Sequence, residues 1–190
     1  MEKQEKQIEI ELRSIFDKNT HDRLKDFLDK EATDLGEDNK DVYFFLFPDK
    51  LLKVTNNISG QSAKITLKLN KIGKGSDFEE IEIPIQPKDV DKSIIMFKHL
   101  GFNELQNSYQ ERHNYEYNGV ELALKYTKTW GYHLEMEILV KDVAEKENAE
   151  SKIAMVAKEL GVTIMTDDEL ADFTKKIDID YKKGKYDDKK

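Results

Sequence analysis

The sequence contains no cysteine, which excludes both disulfides and thiolate metal sites. It has no apolar run that approaches the roughly 20 residues needed to cross a bilayer, and its first residues, MEKQEKQ, lack the apolar segment of a signal peptide. The sequence has fewer basic than acidic residues, 31 Lys and Arg against 39 Asp and Glu, which gives a net charge of −8. Nucleic acids and anionic membranes need a basic surface. We therefore expect a cytoplasmic protein that binds neither.

The chain is rich in charged residues, and many of them alternate regularly with apolar residues. Its 190 residues are 37% charged and 38% hydrophobic, enough for one domain with a substantial core. Residues 8–13 read IEIELR, in which apolar and ionisable residues alternate strictly. Alternation at period two is typical of a β-strand with one apolar and one polar face. Glu9, Glu11 and Arg13 therefore share one face of this strand.

Eight segments have the alternation or the composition of strands. These are residues 8–13, 42–48, 50–57, 63–70, 78–85, 106–117, 120–128 and 131–140. Helices are predicted at 20–35, with Thr20 as N-cap, and at 87–102, 144–161 and 166–177, while 36–41 is predicted to be a loop. The pair Asn118-Gly119 between two strands is a strong hairpin signal.

Together these segments predict an α+β fold, an eight-stranded antiparallel β-barrel with helices packed outside. Eight strands can close into a barrel, and the apolar faces must then meet the helices. The charged faces point inward, where unpaired buried charge is very costly. The interior is therefore expected to be a wet tunnel that holds ions or ligands. We expect this tunnel domain to span residues 1–165, followed by a C-terminal helix and charged tail at 166–190.

Carboxylates on three strands are the first candidate ligands. They form i, i+2 pairs on the charged faces: Glu9, Glu11, Glu80, Glu82, Glu135 and Glu137. Carboxylates on one face repel each other unless cations lie between them, and hard oxygen donors without cysteine suit Mg²⁺ or Mn²⁺. The alternative is a solvated sheet face on which glutamates pair with neighbouring lysines.

Basic residues on the same faces are the second candidate set. They are Arg13, Lys53, Lys64, Lys68, Arg112 and Lys125. Cations opposite carboxylates on one concave surface suit a polyphosphate bridged by metal ions. The alternative is ordinary ion pairing between neighbouring strands.

The ordered series of motifs resembles the CYTH superfamily, the triphosphate tunnel metalloenzymes. That superfamily includes class IV adenylate cyclases, thiamine triphosphatases and inorganic triphosphatases. Residues 9–13 resemble its ExExK first strand, and the resemblance covers about residues 5–165. The other matching segments are Asp41-Val42-Tyr43-Phe44 for DxYF, Leu52-Lys53-Val54-Thr55 for LRxR, residues 63–68 for the LTxK strand, Glu80-Ile81-Glu82 for ExE, Leu100-Gly101-Phe102 for LGF, residues 112–115 for the end of KxRxxY, and residues 131–137 for GxFxExE.

The resemblance implies a tunnel in which inward Lys and Arg hold a triphosphate and glutamate pairs hold Mg²⁺ or Mn²⁺. It implies catalytic roles for Arg13, Lys68 and Arg112, phosphate binding by all six basic residues, and metal binding by all six glutamates. The chain length, the LGF segment and the helix at 144–161 resemble the class IV cyclases most, which convert ATP to cyclic AMP and pyrophosphate. By analogy with them we expect a homodimer.

The sequence departs from the superfamily pattern at several charged positions. Arg13 replaces a lysine, Thr55 an arginine, Gln110 a lysine and Lys125 an aspartate, and Phe78-Glu79 stands where an arginine usually precedes ExE. Either the substrate is held differently or activity is reduced. Two alternatives to the cyclase therefore stay open: a triphosphatase acting on inorganic, thiamine or nucleoside triphosphate, and a non-catalytic binder of nucleotides or polyphosphate.

Overall fold

The computed structural model describes residues 8–47, 49–69 and 76–186. Its strands are β1 (Ile8–Phe16), β2 (Thr33–Glu37), β3 (Lys40–Leu46), β4 (Leu51–Asn57), β5 (Ser62–Lys68), β6 (Asp77–Ile85), β7 (Leu105–Tyr117), β8 (Val120–Thr127) and β9 (Gly131–Val140). Its helices are α1 (Lys18–Glu31), α2 (Val90–His99), α3 (Lys146–Leu160) and α4 (Asp167–Lys182). Some predictions concern residues outside the described part of the chain. These residues are the MEKQEKQ terminus, the ends of strands 42–48 and 63–70, the tip of the charged tail and the side chains of Phe78-Glu79.

Eight of the strands pair in a closed antiparallel ring, which confirms the predicted barrel. The order around the ring is β7-β3-β4-β5-β6-β1-β9-β8, and β8 pairs back to β7. The ring closes because β7 is long: residues 105–110 pair with β3 and residues 110–117 pair with β8. The narrowest seam is β1–β6, with three residue pairs, whereas β1–β9 has nine.

The apolar strand faces point outward and pack under helices, as expected. A larger core forms where α1 and α3 cover β1, β8 and β9, with Ile10, Met136 and Ile153 fully buried. A smaller core around Phe45 and Ile94 lies beneath α2. Each such buried side chain contributes about 1.5–3 kcal/mol to folding.

The outer face of β6 departs from that rule. Its outward-facing residues Ile81 and Ile83 are 52% and 54% exposed, and only Ile85 at its end packs against the smaller core among its described residues. The prediction that helices cover every apolar face is therefore wrong for β6.

The first helix begins and ends earlier than the predicted range of 20–35. Asp17, not Thr20, is the N-cap, because its carboxylate accepts a hydrogen bond from the Thr20 amide at 2.8 Å. The residues after Glu31 form β2, which pairs with β7 through a bulge at Gly36. Gly36 has φ of 89°, a backbone conformation that glycine adopts easily. The predicted loop at 36–41 is consequently limited to residues 38–39.

The last helix is longer than the predicted range of 166–177. It starts with a capping box, in which Thr166 and Glu169 satisfy each other's backbone amides. It then continues to Lys182 because Ile177 is buried and its later turns contact β7. Among the helices in the described part of the chain, none is both long and apolar enough to cross a membrane. The division into residues 1–165 and 166–190 stays a prediction.

Candidate active site

The barrel encloses a cavity of about 950 Å³ that all predicted site residues line. They are Glu9, Glu11, Arg13, Lys53, Lys64, Lys68, Glu80, Glu82, Arg112, Lys125, Glu135 and Glu137. Strand alternation places them there, since residues two apart face the same side of a strand. The centre is well shielded from solvent: Lys68 is 3% exposed and Arg13 is 5% exposed. The sequence therefore predicted the inward face of these strands correctly.

One lysine lies among three carboxylates. The Nζ atom of Lys68 is 2.9 Å from Glu9 Oε2, 3.4 Å from Glu11 Oε2 and 2.7 Å from Glu80 Oε1. Burial lowers the pKa of Lys68, but the negative charges of Glu11, Glu9 and Glu80 outweigh it and raise this pKa above its usual value. We call these four residues the Lys68 cluster. With all groups ionised it carries two surplus negative charges.

Further carboxylates lie beside the Lys68 cluster, on the neighbouring strands β9 and β8. Glu11 of β1 is opposite Glu137 of β9, which is opposite Glu121 of β8. Burial raises the pKa of Glu137 to about 9, and the charges of Glu9 and Glu11 contribute to the rise. Burial also raises the pKa of Glu11. These carboxylates therefore repel each other, and Glu137 holds a proton at neutral pH.

One carboxylate lies among three cations on the neighbouring wall. Glu135 Oε1 accepts a hydrogen bond from Arg13 Nε at 3.3 Å, while Glu135 Oε2 is 2.9 Å from Lys125 Nζ and 3.6 Å from Arg112 Nη1. Burial opposes ionisation of Glu135, but Lys125, Arg13 and Arg112 hold its pKa well below the usual range. Burial lowers the pKa of Lys125 to about 8, and the positive charge of Arg112 contributes. We call these four residues the Glu135 cluster. Taken alone it carries two surplus positive charges, although Arg112 also pairs with Asp38 at 3.2 Å and Arg13 with Glu11.

The two clusters touch through Arg13. Its guanidinium forms ion pairs with Glu11 of the Lys68 cluster and with Glu135 of its own cluster. A surface with surplus negative charge therefore lies directly beside one with surplus positive charge. Such a pair of surfaces can hold a metal ion on one side and an anion on the other.

The carboxylates of the tunnel fit a divalent cation in their chemistry. They are hard oxygen donors of the kind that Mg²⁺ and Mn²⁺ take, and a cation beside Glu9, Glu11 and Glu137 would relieve the repulsion that raises the pKa of Glu137. Within the described residues, however, no three Asp, Glu or His side chains form a group that could hold a metal ion as they lie, and the three carboxylates around Lys68 contact its ammonium group instead. Glu135 is instead held by three cations. Metal binding by the six glutamates stays a prediction.

Two of the predicted phosphate-binding lysines differ in their surroundings. Lys64 is half-exposed and pairs with Glu82 at 2.5 Å, which is the ordinary cross-strand ion pair that was the alternative interpretation. Lys53 is partly buried, and no described carboxylate lies within 4 Å of its Nζ atom. Burial lowers the pKa of Lys53, and the charge of Lys68 lowers it further. An anionic ligand beside Lys53 would oppose both effects and stabilise its charged form.

Comparison with known proteins identifies the family. The family model for the CYTH domain matches residues 7–169. The chain belongs to the CYTH domain family. It is 30% identical over 96 residues to a putative adenylate cyclase of Methanocaldococcus jannaschii, a match that covers 50% of this chain and 53% of that protein. This CYTH protein thus spans about half the length of the curated relative that it matches.

Solved structures agree with the family. A protein of Pyrococcus horikoshii OT3 is similar with a TM-score of 0.67 and 30% identity, over 82% of this chain and 91% of that one. A putative adenylyl cyclase of Hippeastrum, described as having a dominant triphosphatase activity, is similar with a TM-score of 0.57 and 18% identity, over 83% of this chain and 89% of that one. At that lower identity the likeness shows the fold alone.

Several lining residues of the CYTH tunnel were not predicted. Asp38 and Lys40 form an ion pair at 2.6 Å, and Asp38 also pairs with Arg112 at 3.2 Å. The sequence does not predict them because residues 36–41 have the composition of a loop. Glu121 shares a strand face with Lys125, so alternation along β8 could have found it. Thr55 and Gln110 also line the tunnel. Both are neutral residues at positions where the family pattern has a cation.

Helix α4 covers one end of the tunnel, which the sequence did not predict. The Gln106 side chain donates a hydrogen bond to Asp178 Oδ1 at 2.9 Å. The Asn107 amide donates one to Tyr181 Oη at 2.9 Å. On the other side, Trp130 meets Phe173 edge-on with ring centroids 5.1 Å apart. Most of α4 lies beyond residue 169, where the match to the CYTH family ends.

Proposed function

We propose that this CYTH protein is a metal-dependent enzyme that acts on a triphosphate substrate, in the manner of a class IV adenylate cyclase. The observation that carries the proposal is the contact between the Lys68 cluster and the Glu135 cluster. A metal–triphosphate complex contains a metal cation beside anionic oxygens. The surplus negative charge of the Lys68 cluster suits the metal ion, and the surplus positive charge of the Glu135 cluster suits the phosphates. Ordinary ion pairing would leave each cluster neutral instead.

In this proposal the carboxylate side of the tunnel holds the metal and the cationic side holds the phosphates. Glu9, Glu11 and Glu137 would take Mg²⁺ or Mn²⁺, which supplies positive charge against the phosphate oxygens. Arg13, Arg112 and Lys125 would orient the phosphate chain, and Lys53 and Lys68 would bind its oxygens. Catalysis then comes from positioning and electrostatic stabilisation, with no covalent intermediate on the protein.

The proposed reaction is cyclisation of ATP. The ribose 3′-oxygen forms a bond to the α-phosphorus, the bond from that phosphorus to the β-phosphate oxygen breaks, and pyrophosphate leaves. The hydroxyl proton passes to solvent. The relative from Methanocaldococcus jannaschii, which is named a putative adenylate cyclase, supports this reaction over the others. The expected cytoplasmic location and homodimer belong to the same proposal.

A triphosphatase is the second candidate, in which water attacks the terminal phosphorus and orthophosphate leaves. The half-exposed pair of Lys64 and Glu82 favours it, since that part of the tunnel wall is open to water. The neutral residues Thr55 and Gln110 favour the third candidate, a binder without catalysis, because each removes a cation that the family pattern would supply.

The deciding experiment incubates the protein with ATP, and separately with tripolyphosphate, plus Mg²⁺ or Mn²⁺, and resolves the products by chromatography. The test variant is the double change Glu9→Ala and Glu11→Ala. The matched control is Glu31→Ala with Glu147→Ala, two exposed glutamates on α1 and α3. Cyclic AMP and pyrophosphate that disappear only in the test variant support the cyclase. Orthophosphate with the same dependence supports the triphosphatase.

Two other outcomes would count against catalysis. Metal-dependent binding of either compound without turnover would support the non-catalytic binder. Absence of any binding would contradict the proposal as a whole.

A further inference from the structure

Two positions of the tunnel wall are neutral where the family pattern has a cation, Thr55 on β4 and Gln110 on β7. The register of the sheet shows what lies beside each of them. Lys40 of β3 is directly opposite Gln110, and Lys64 of β5 is directly opposite Thr55. Neither lysine is a motif residue, since Lys40 precedes the DxYF segment and the lysine of LTxK is Lys68. Each missing cation therefore has a lysine beside it that the family pattern does not require.

Both lysines face the same space as the neutral residues opposite them. Directly opposite residues of an antiparallel pair lie on one face of the sheet, with Cβ atoms about 4.5–5.5 Å apart. All four side chains line the cavity accordingly. Because lysine has a flexible four-carbon stem, its ammonium group can cover the spacing of one strand. A lysine at position 40 can thus reach a ligand that a lysine at position 110 would contact.

The surroundings of Lys40 leave it with charge to offer. Its Nζ atom is 2.6 Å from Asp38 Oδ2, and the same oxygen is 3.2 Å from Arg112 Nε. Asn57 donates a hydrogen bond to the other oxygen, Oδ1, at 2.6 Å, which fixes the carboxylate. Taken alone, one carboxylate shared by two cations leaves one surplus positive charge. Burial lowers the pKa of Lys40, and the charge of Arg112 contributes although Asp38 opposes it, so an anion beside Lys40 would stabilise its charged form.

We propose that Lys40 binds the phosphate chain in place of the lysine that the family pattern has at position 110, and that Lys64 stands in the same relation to position 55. The inference rests on the proposed function. Lys40 donates hydrogen bonds to phosphate oxygens beside Arg112, and Asp38 positions both cations. The tunnel wall thereby keeps its cations, although two of them come from neighbouring strands.

The test exchanges the residues of each opposite pair, which moves the cation and leaves the composition unchanged. Lys40→Gln is compared with the double change Lys40→Gln and Gln110→Lys. Lys64→Thr is compared in the same way with Lys64→Thr and Thr55→Lys. The control is Lys92→Gln on α2, because Lys92 also pairs with an aspartate but its side chain is 77% exposed. Calorimetry measures binding of methylene-bridged tripolyphosphate with Mg²⁺, and thermal unfolding checks that each variant folds.

We expect Lys40→Gln to weaken binding about three- to tenfold, as for one lost ion pair that is partly shielded from water. The exchange with Gln110→Lys should bring the affinity back to within about twofold of wild type. Lys64→Thr should weaken binding less, because Lys64 is half-exposed and shared with Glu82, and its exchange should likewise recover the loss. The control should bind as wild type does.

A second background separates ligand binding from the pairing of Lys40 with Asp38. If Lys40 served only to neutralise Asp38, it would have no role once that carboxylate is an amide. We therefore measure Lys40→Gln in the Asp38→Asn background, where the proposal expects a loss of affinity of similar size. A loss that appears only when Asp38 is present would overturn the proposal.

Other results would overturn the inference and leave the proposed function intact. These are an unchanged affinity in Lys40→Gln, or an exchange variant that folds but binds as weakly as Lys40→Gln. Failure of the Lys64 exchange alone would overturn the assignment for position 55. By contrast, a wild type that does not bind the analogue at all would contradict the proposed function itself, and this inference with it.

Discussion

The Lys68 cluster and the Glu135 cluster are near-inverses of each other in charge. In the first, one cation is in contact with three carboxylates, and in the second one carboxylate is in contact with three cations. Both are largely removed from water, where unbalanced charge is costly. A barrel selected for stability alone would pair these groups one to one. The proposed function assigns a ligand of the opposite sign to each surplus.

The largest effect is expected from removing the central cation. Lys68→Met would remove the cation that Glu9, Glu11 and Glu80 share and leave only Glu11 paired, with Arg13. Breaking a buried ion pair costs about 3–5 kcal/mol. Urea unfolding should show a loss of that size. Lys64→Met is the control, because its pair with Glu82 is half-exposed and such pairs contribute at most about 1 kcal/mol. Equal losses in the two variants would mean that Lys68 has no special role.

Two glutamates on β9 allow a closer comparison of the two clusters. Glu135 and Glu137 are two residues apart and lie on the same face of the strand. Glu135 is ionised and holds three cations, so we expect Glu135→Gln to lower the free energy of unfolding by about 3 kcal/mol. Glu137 is already protonated at neutral pH, its pKa being about 9. At pH 7 the unfolded chain has released this proton, so folding of wild type must take it up again, whereas Gln needs no proton. Glu137→Gln should therefore not lower the free energy of unfolding, and should raise it when no divalent cation is present. Urea titrations at pH 7 with EDTA would measure both.

The same two variants are expected to change the binding of different ligands, and in opposite directions. Glu135→Gln adds net positive charge and should tighten tripolyphosphate binding, whereas Glu137→Gln should weaken Mg²⁺ binding and leave anion binding nearly unchanged. Calorimetry with each ligand alone separates the two. Parallel changes in both variants would contradict the assignment of one wall to the metal and the other to phosphate.

A smaller effect is expected from pH. Because the pKa of Glu137 is raised from 4.5 to about 9 in the folded state, the stability that its protonation contributes is complete below pH 4.5 and is lost as pH rises towards 9. Without divalent cations, wild type should lose more stability than Glu137→Gln over this range. Unfolding midpoints of both proteins from pH 5 to 9 test this, and parallel curves would contradict it.

The smallest effect concerns Lys125. Burial lowers its pKa to about 8, so it loses its charge as pH rises from 7 to 9. Tripolyphosphate affinity should fall about two- to tenfold over that range, as expected for one lost ion pair at a partly screened site. In Lys125→Met the affinity should be lower throughout and should change less with pH.

Alternation along strands predicted the inward face of the barrel, and with it that all twelve candidate residues line the cavity. What it could not predict was which charges meet. Glu9 and Lys68 are 59 residues apart in the chain, and only closure of the ring brings them together. No local pattern contains that information.

The missed residues have similar physical causes. Asp17 and Thr20 are both good caps, and only the tertiary position of the chain decides between them. Lys40 was assigned to a loop because the bulge at Gly36 interrupts the strand pattern. Asp178 reaches the tunnel from a helix whose approach to β7 depends on burial of Ile177, a contact that a helical pattern does not reveal.

The pairing of β1 with β9 also determines when the barrel can close during synthesis of the protein. Arg13 and Glu135 are 122 residues apart, and their strands are neighbours in the ring. At roughly 5–20 residues per second on the ribosome, the first strand waits from several seconds to about half a minute for its partner. Contacts of such long range also slow folding. Until β9 emerges, β1 lacks the larger of its two ladders, nine residue pairs against the three that it forms with β6, and its carboxylates are exposed to water.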